Sequence, residues 1–159
     1  MSEDETMTAR EYLQQARGMM SRLEAMNERR QRYEDLATSA TAHYRSGPGG
    51  THRVSSVEEY AIKMADLSAE MNIRASIYAE ALREIETAID AVPNQTYRDV
   101  LRLRYLNAWS WNRIARATHY ADSYLYQVHR NAVKAVTVPP GAVPVEDRVR
   151  DALKVRRQS

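Results

Sequence analysis

The chain has 159 residues, with 23 Lys/Arg against 21 Asp/Glu for a formal net charge of +2, and no cysteine. That length suits one ordinary domain plus an appendage, and the lack of cysteine excludes disulfides and thiolate metal sites. No apolar run approaches the roughly 20 residues a membrane helix needs, and the acidic stretch Ser2-Glu3-Asp4-Glu5 is unlike a signal peptide, so a soluble, cytoplasmic protein is expected.

Five Gly, five Pro, no Phe and abundant Ala, Arg, Glu and Met favour an all-α chain. The small net charge hides an asymmetry. Residues 1–93 carry 11 Lys/Arg against 16 Asp/Glu, residues 94–136 carry 7 against 2, and residues 137–159 carry 5 against 3. Positive charge collected in one short segment is the electrostatic footprint of a phosphate-binding module.

The acidic first residues are expected to hold no fixed structure. From Thr8 to Tyr44 a long helix is expected, with Tyr12, Ala16, Met19, Leu23, Met26, Arg30, Tyr33, Ala37, Ala40 and Tyr44 as its inner positions. Their spacing alternates four and three, which is a heptad seam. Gly18 and Arg30 weaken it without breaking it, since glycine costs about 1 kcal/mol in a helix interior and an Arg stem lies along a seam with its head in water. Ser46-Gly47-Pro48-Gly49-Gly50-Thr51 cannot continue a helix, so a loop is placed at 46–54.

Ser55 or Ser56 then caps a second long helix, with Glu58 and Glu59 in its first turn. Its seam reads Val57, Tyr60, Met64, Leu67, Met71, Arg74, Tyr78, Ala81, Ile85, Ala88 and Val92. Two matching heptad helices around one loop predict an antiparallel hairpin over 8–92, each arm roughly 50–55 Å long at 1.5 Å per residue. Both seams are thin, rich in Ala and Met with one Arg each. The hairpin is therefore expected to pack on the later helices or, as a homo-oligomer, on a second copy of the chain.

Val92-Pro93-Asn94 ends the second helix and opens the next, with Asn94 as a cap. A basic three-helix unit follows over 94–136. Ser110 is a good N-cap, and Trp109 and Ile114 sit at the staple positions on either side of it. Ile114, Ala115 and Thr118 face one side; Asn112, Arg113 and Arg116 face the other. The pattern breaks at Thr118-His119-Tyr120, and a second helix, 121–136, carries Leu125, Val128, Ala132, Ala135 and Val136 as its inner stripe. A short helix, a tight turn and a longer helix with a polar, basic outer face meet the requirements of a helix-turn-helix.

On that reading the helix 121–136 enters the major groove of double-stranded DNA. Asp122, Ser123, Tyr126 and Gln127 are its candidates for base contact, Gln127 on adenine and Asp122 on a cytosine amine. Arg113, Arg116, Arg130 and Lys134 are better placed for phosphates, which position without specifying. Arg98, Arg102 and Arg104 are candidate flank contacts, with anchoring of the helix packing as the alternative for Arg104. Tyr124 either packs inward beside Leu125 or touches the DNA backbone. Trp109 and Trp111 are expected to fill the small core rather than stack on bases.

Thr137-Val138-Pro139-Pro140-Gly141 is a stop, so 137–159 reads as a linker and basic tail, frayed beyond a turn or two of helix around Val145, Val149, Ala152 and Leu153. His43, His52, His119 and His129 have no metal-ligand spacing, and no nucleophile–base set or glycine-rich phosphate loop is found. No cofactor, metal or enzymatic activity is expected.

Val100-Leu101-Arg102-Leu103-Arg104-Tyr105, followed by Ser110, Ile114 and Ala115 and then Leu125, Gln127, Val128, Ala132 and Val133, resembles region 4 of bacterial sigma factors. Thr118-His119 stands where the sigma turn usually has Leu-Gly, which puts His119 in a turn without glycine's freedom. With Ala9-Arg10-Glu11-Tyr12-Leu13, Leu36-Ala37-Thr38-Ser39, Tyr120, Ser123 and His129 added, roughly residues 8–136 resemble the phage-encoded late transcription regulators of the ArpU/RinA type. The resemblance implies a phage or prophage transcription regulator, with RNA polymerase as a further partner. Two other readings fit the same elements. One is a DNA-packaging protein like the phage small terminases, although those usually place the DNA-binding unit first. The other is a coiled-coil interaction adaptor that has lost DNA binding.

Overall fold

The computed structural model describes residues 7–45 and 51–159. Every regular element among them is helical: α1 Ala9–Arg45, α2 Thr51–Asp90, α3 Gln95–Leu101, α4 Trp111–Thr118, α5 Asp122–Ala135 and α6 Val145–Gln158, with a π-helical turn at Arg102–Leu106. No helix among the described residues is long and apolar enough to cross a membrane. Of the expected loop at 46–54, residues 51–54 are helical instead. Helix α2 begins at Thr51, so Ser55 and Ser56 lie inside it rather than at its start. Residues 46–50, the acidic residues 1–6 and the side chains of His43, Tyr44 and His52 lie outside what the structure describes.

The helices group into two compact units that do not follow chain order. One is the 21–76 segment of the hairpin, where the two arms run antiparallel. Met26 and Leu67 are buried, while Leu23, Tyr33, Ala37, Ala40, Val57, Tyr60, Met64 and Met71 are only half-buried. Tyr33 stacks on Tyr60 with ring centroids 6.4 Å apart. The Lys63 ammonium lies 5.8 Å from the Tyr33 ring and 6.0 Å from that of Tyr60, and it pairs with Glu59 at 3.1 Å. Arg74, the basic seam position, is held by Glu70 one turn earlier. The exposed Lys63–Glu59 pair contributes at most about 1 kcal/mol. The segment therefore rests on a narrow apolar strip.

The other unit joins α1 as far as Met20 to residues 77–159. Helix α1 opens with a reciprocal cap: Thr8 N–H donates to Glu11 Oε2 at 3.0 Å and Glu11 N–H to Thr8 Oγ1 at 3.2 Å. Its Tyr12, Leu13, Ala16 and Met19 are buried, as are Tyr78, Ala81, Ile85, Ile89 and Val92 around the end of α2. Leu13 and Ile89 widen the stripe beyond a two-helix seam, because a third helix must be covered.

That helix is α6, and it corrects the expectation of a frayed tail. Val145 and Val149 are buried. Val145 N–H donates to Gln15 Oε1 at 2.8 Å, Arg148 bonds Glu84 at 2.7 Å, and the Tyr78 hydroxyl donates to Glu146. Two valines at i,i+4 are a faint signal in sequence. Yet each contributes about 1.5 kcal/mol or more when fully buried, enough to seat a helix that polar contacts already orient.

Candidate nucleic-acid interface

The basic segment is built on caps and one small core. Asn94 accepts from Tyr97 N–H at 3.1 Å to start α3, and Ser110 accepts from Arg113 N–H at 3.2 Å to start α4. Between them the chain widens from α-helix into a π turn. Asn107 N–H bonds Arg102 O at 2.9 Å, Trp109 N–H bonds Leu103 O at 3.0 Å, and Ala108 takes φ 57°. Arg104 ties this turn: its guanidinium donates to Trp109 O at 3.0 Å and lies 4.4 Å from the Trp111 ring centroid. The core is Val100, Ile114, Leu125 and Val128, with Tyr97, Leu103, Trp109, Trp111, Ala115 and Tyr120 packed around it. Both tryptophans thus serve the core.

Helices α4 and α5 are joined by His119, Tyr120 and Ala121. His119 ends α4 at φ 58°, ψ 23°, the left-handed conformation that favours glycine. It is exposed, so His119→Gly is expected to raise the unfolding free energy by about 0.5–1 kcal/mol. Denaturant titration checks this, and a loss instead would mean that the imidazole itself stabilises the turn. Helix α5 starts at Ala121 without a side-chain cap, and Asp122 supplies negative charge in its first turn.

Among the inner positions of α5, Leu125, Val128, Ala132 and Val136 are buried, but Ala135 is exposed. Its place is taken by His129, 5% exposed, whose Nε2 lies 2.7 Å from the Tyr105 hydroxyl. Burial first, then the charges of Arg10 and Arg104, lower the His129 pKa from 6.5 to about 4, so the ring is neutral. Burial likewise raises the Tyr105 phenol, against the opposing pull of Arg10, Arg104 and Arg17.

On the outward side, Asp122, Ser123, Tyr126 and Gln127 are all exposed over the first half of α5. Asp122 and Tyr126 share a shallow hollow with Trp111, Asn112 and Leu125, and the Tyr126 ring lies 6.1 Å from that of Trp111. Arg113, Arg116, Arg130 and Lys134 are exposed too, and among the described residues none of them pairs with a carboxylate. Arg113 rests 4.0 Å over the Trp109 ring and shares a surface depression with Arg116. Tyr124 is 48% exposed, edge-on to Tyr120 at 5.0 Å, so it does not pack inward beside Leu125.

The three candidate flank arginines are engaged within the fold. Arg98 donates to Val92 O at 2.6 Å and Pro93 O at 2.9 Å, closing the end of α2. Arg102 pairs with Asp90 and more distantly with Asp99. Arg104 holds the π turn, the alternative raised for it.

The Tyr105–His129 pair was not anticipated, nor was the approach of α1 to it. Arg10, Gln14 and Arg17 recur at helical spacing, which marks one face of α1, but nothing in the chain says what that face meets. Neither a family model, a curated protein nor a solved structure matches this chain.

Proposed function

We propose that the protein is a sequence-specific double-stranded DNA-binding transcription regulator of phage or prophage type, with α5 as the helix that enters the major groove. The observation that carries this reading is the division of α5 into two faces. Leu125, Val128 and Ala132 are buried, while Asp122, Ser123, Tyr126 and Gln127 stand open at the end that leads into a groove. Around them Arg113, Arg116, Arg130 and Lys134 offer cationic charge that pairs with no carboxylate among the described residues, which suits phosphate contact. The likeness of residues 100–133 to sigma region 4 supports the same assignment and suggests RNA polymerase as a second partner. A second copy of the chain is the partner proposed for the hairpin, where Leu36 and Ile62 are exposed beside the narrow seam.

Alanine at both Arg130 and Lys134 is expected to weaken binding to every duplex, by about tenfold or more. It should also lower the slope of log K against log salt by up to about two. Fluorescence anisotropy over a salt series measures both, and wild-type affinity in the double variant would refute the phosphate-facing side. Gln127→Ala should instead alter preference among sequences selected from a random duplex pool, at an unchanged salt slope. Selection without enrichment would favour the adaptor, and enrichment of a packaging-type site the terminase-like alternative.

A further inference from the structure

The first turns of α4 and α5 meet around a hollow of about 90 Å³. Trp111 and Asn112 line it from α4, and Asp122, Leu125 and Tyr126 line it from α5. Leu125, only 3% exposed, gives it an apolar floor. The Trp111 and Tyr126 rings, with centroids 6.1 Å apart and planes 39° off parallel, form its walls. Trp111 is held in place, with the Arg104 guanidinium 4.4 Å from its centroid and His129 edge-on at 4.6 Å. Asn112, Asp122 and Tyr126 are exposed, so the polar groups stand at the rim. An apolar recess with a fixed wall lacks dispersion partners on its open side until a group of matching size enters.

Size decides what that group is. Small-molecule sites begin near about 300 Å³, so this hollow encloses no metabolite. A methyl group, close in size to a water at about 30 Å³, fits it. The major groove offers one apolar substituent, the 5-methyl of thymine, and cytosine gains the same group on methylation. We propose that the hollow receives the 5-methyl group of a pyrimidine, carried by thymine or by a methylated cytosine. Trp111 then joins Tyr126 as a specificity-determining residue, a role that rests on the reading of α5 as the major-groove helix. In that geometry the first residues of α5 meet base edges, and the hollow lies among them. The rim serves either source. The Asp122 carboxylate accepts from a cytosine amine, and the Asn112 amide donates to a thymine carbonyl.

The full chain first selects its preferred duplex from a random pool. Each thymine of that duplex is then replaced in turn by deoxyuridine, which removes the methyl alone, and each cytosine in turn by 5-methylcytosine, which adds it. Fluorescence anisotropy should show about a fivefold loss at one thymine or more, or about a fivefold gain at one cytosine or more, the worth of burying one methyl. The arm that responds identifies the source. Tyr126→Ala removes one wall and should bind the methyl-bearing and methyl-free duplexes alike. Tyr124→Ala, outside the hollow, should keep the difference. Both tyrosines are exposed, so the fold should be retained, as a thermal melt will show. If the wild-type chain ignores the methyl at every position, or if the effect survives Tyr126→Ala, the proposal is overturned and the regulator reading stands. An effect lost in both variants overturns it as well, because the hollow is then not its origin. A chain that selects no duplex sequence defeats the regulator reading and this proposal together.

Discussion

Replacing Ile114 with alanine is expected to remove about 3–4 kcal/mol from the stability of the unit that carries α4 and α5. Ile114 has no exposed surface and sits among Val100, Leu125 and Val128, with both tryptophans packed around the cluster. Truncation loses the transfer free energy of the deleted carbons and leaves a void. The walls cannot readily close over that void: Trp109 lies under Arg113, and Trp111 is held between Arg104 and His129. Against a typical total of about 5–15 kcal/mol, such a loss is a large share. Urea unfolding followed by tryptophan fluorescence reads this unit directly, because both tryptophans of the chain belong to it. The midpoint should fall at constant slope, and Ile114→Val should cost only about 1 kcal/mol. A loss below about 1 kcal/mol for the alanine variant would mean that the core collapses freely around the gap.

The second large effect is a dependence on acid. His129 has a folded pKa of about 4 against 6.5 for the free side chain. Between those values the unfolded chain takes up a proton that the folded chain refuses, so stability rises with pH across that window. The contribution is complete above about 6.5 and is lost as pH falls toward 4. Its size is on the order of 3 kcal/mol, from 1.36 kcal/mol per unit of pKa. Carboxylates titrate at the lower edge of the same window, so the informative quantity is a difference. His129→Gln keeps a polar partner for Tyr105 and removes the titration. Its stability should change with pH by about 2–3 kcal/mol less than that of wild type between pH ~7 and ~4.5. Equal pH dependence in the two proteins would mean that His129 takes a proton in the folded state.

Patterns that repeat were legible in the chain, and so were caps. The heptad positions from Tyr12 to Ala40 and from Val57 to Val92 all avoid full exposure, because one wet face and one dry face leave a periodic mark. Asn94 and Ser110 cap as their chemistry predicts, since a cap is decided within four residues. His119 holds its left-handed turn although it is not glycine. What stayed hidden depends on long-range partners. The seat of α6 needs Gln15, Tyr78 and Glu84, all far away in the chain, and Val145 with Val149 is too short a stripe to announce it. The same is true of the Arg10–Arg17 face and of the flank arginines, whose side chains look available until their carbonyl and carboxylate partners are located. The π turn and the positive φ of Ala108 were not legible either, because the left-handed position holds an alanine, a residue that rarely adopts it.

Gln15 and Val145, joined by a hydrogen bond, stand 130 positions apart. During translation the apolar stripe of Tyr12, Leu13 and Met19 leaves the ribosome long before its cover has been made. A nascent chain interrupted ahead of α6 presents that bare strip to chaperones and proteases. A minimal fragment cut from residue 94 onward leaves α6 with nowhere to dock, so a fragment built around α4 and α5 should retain the parts of α1 and α2 that seat it.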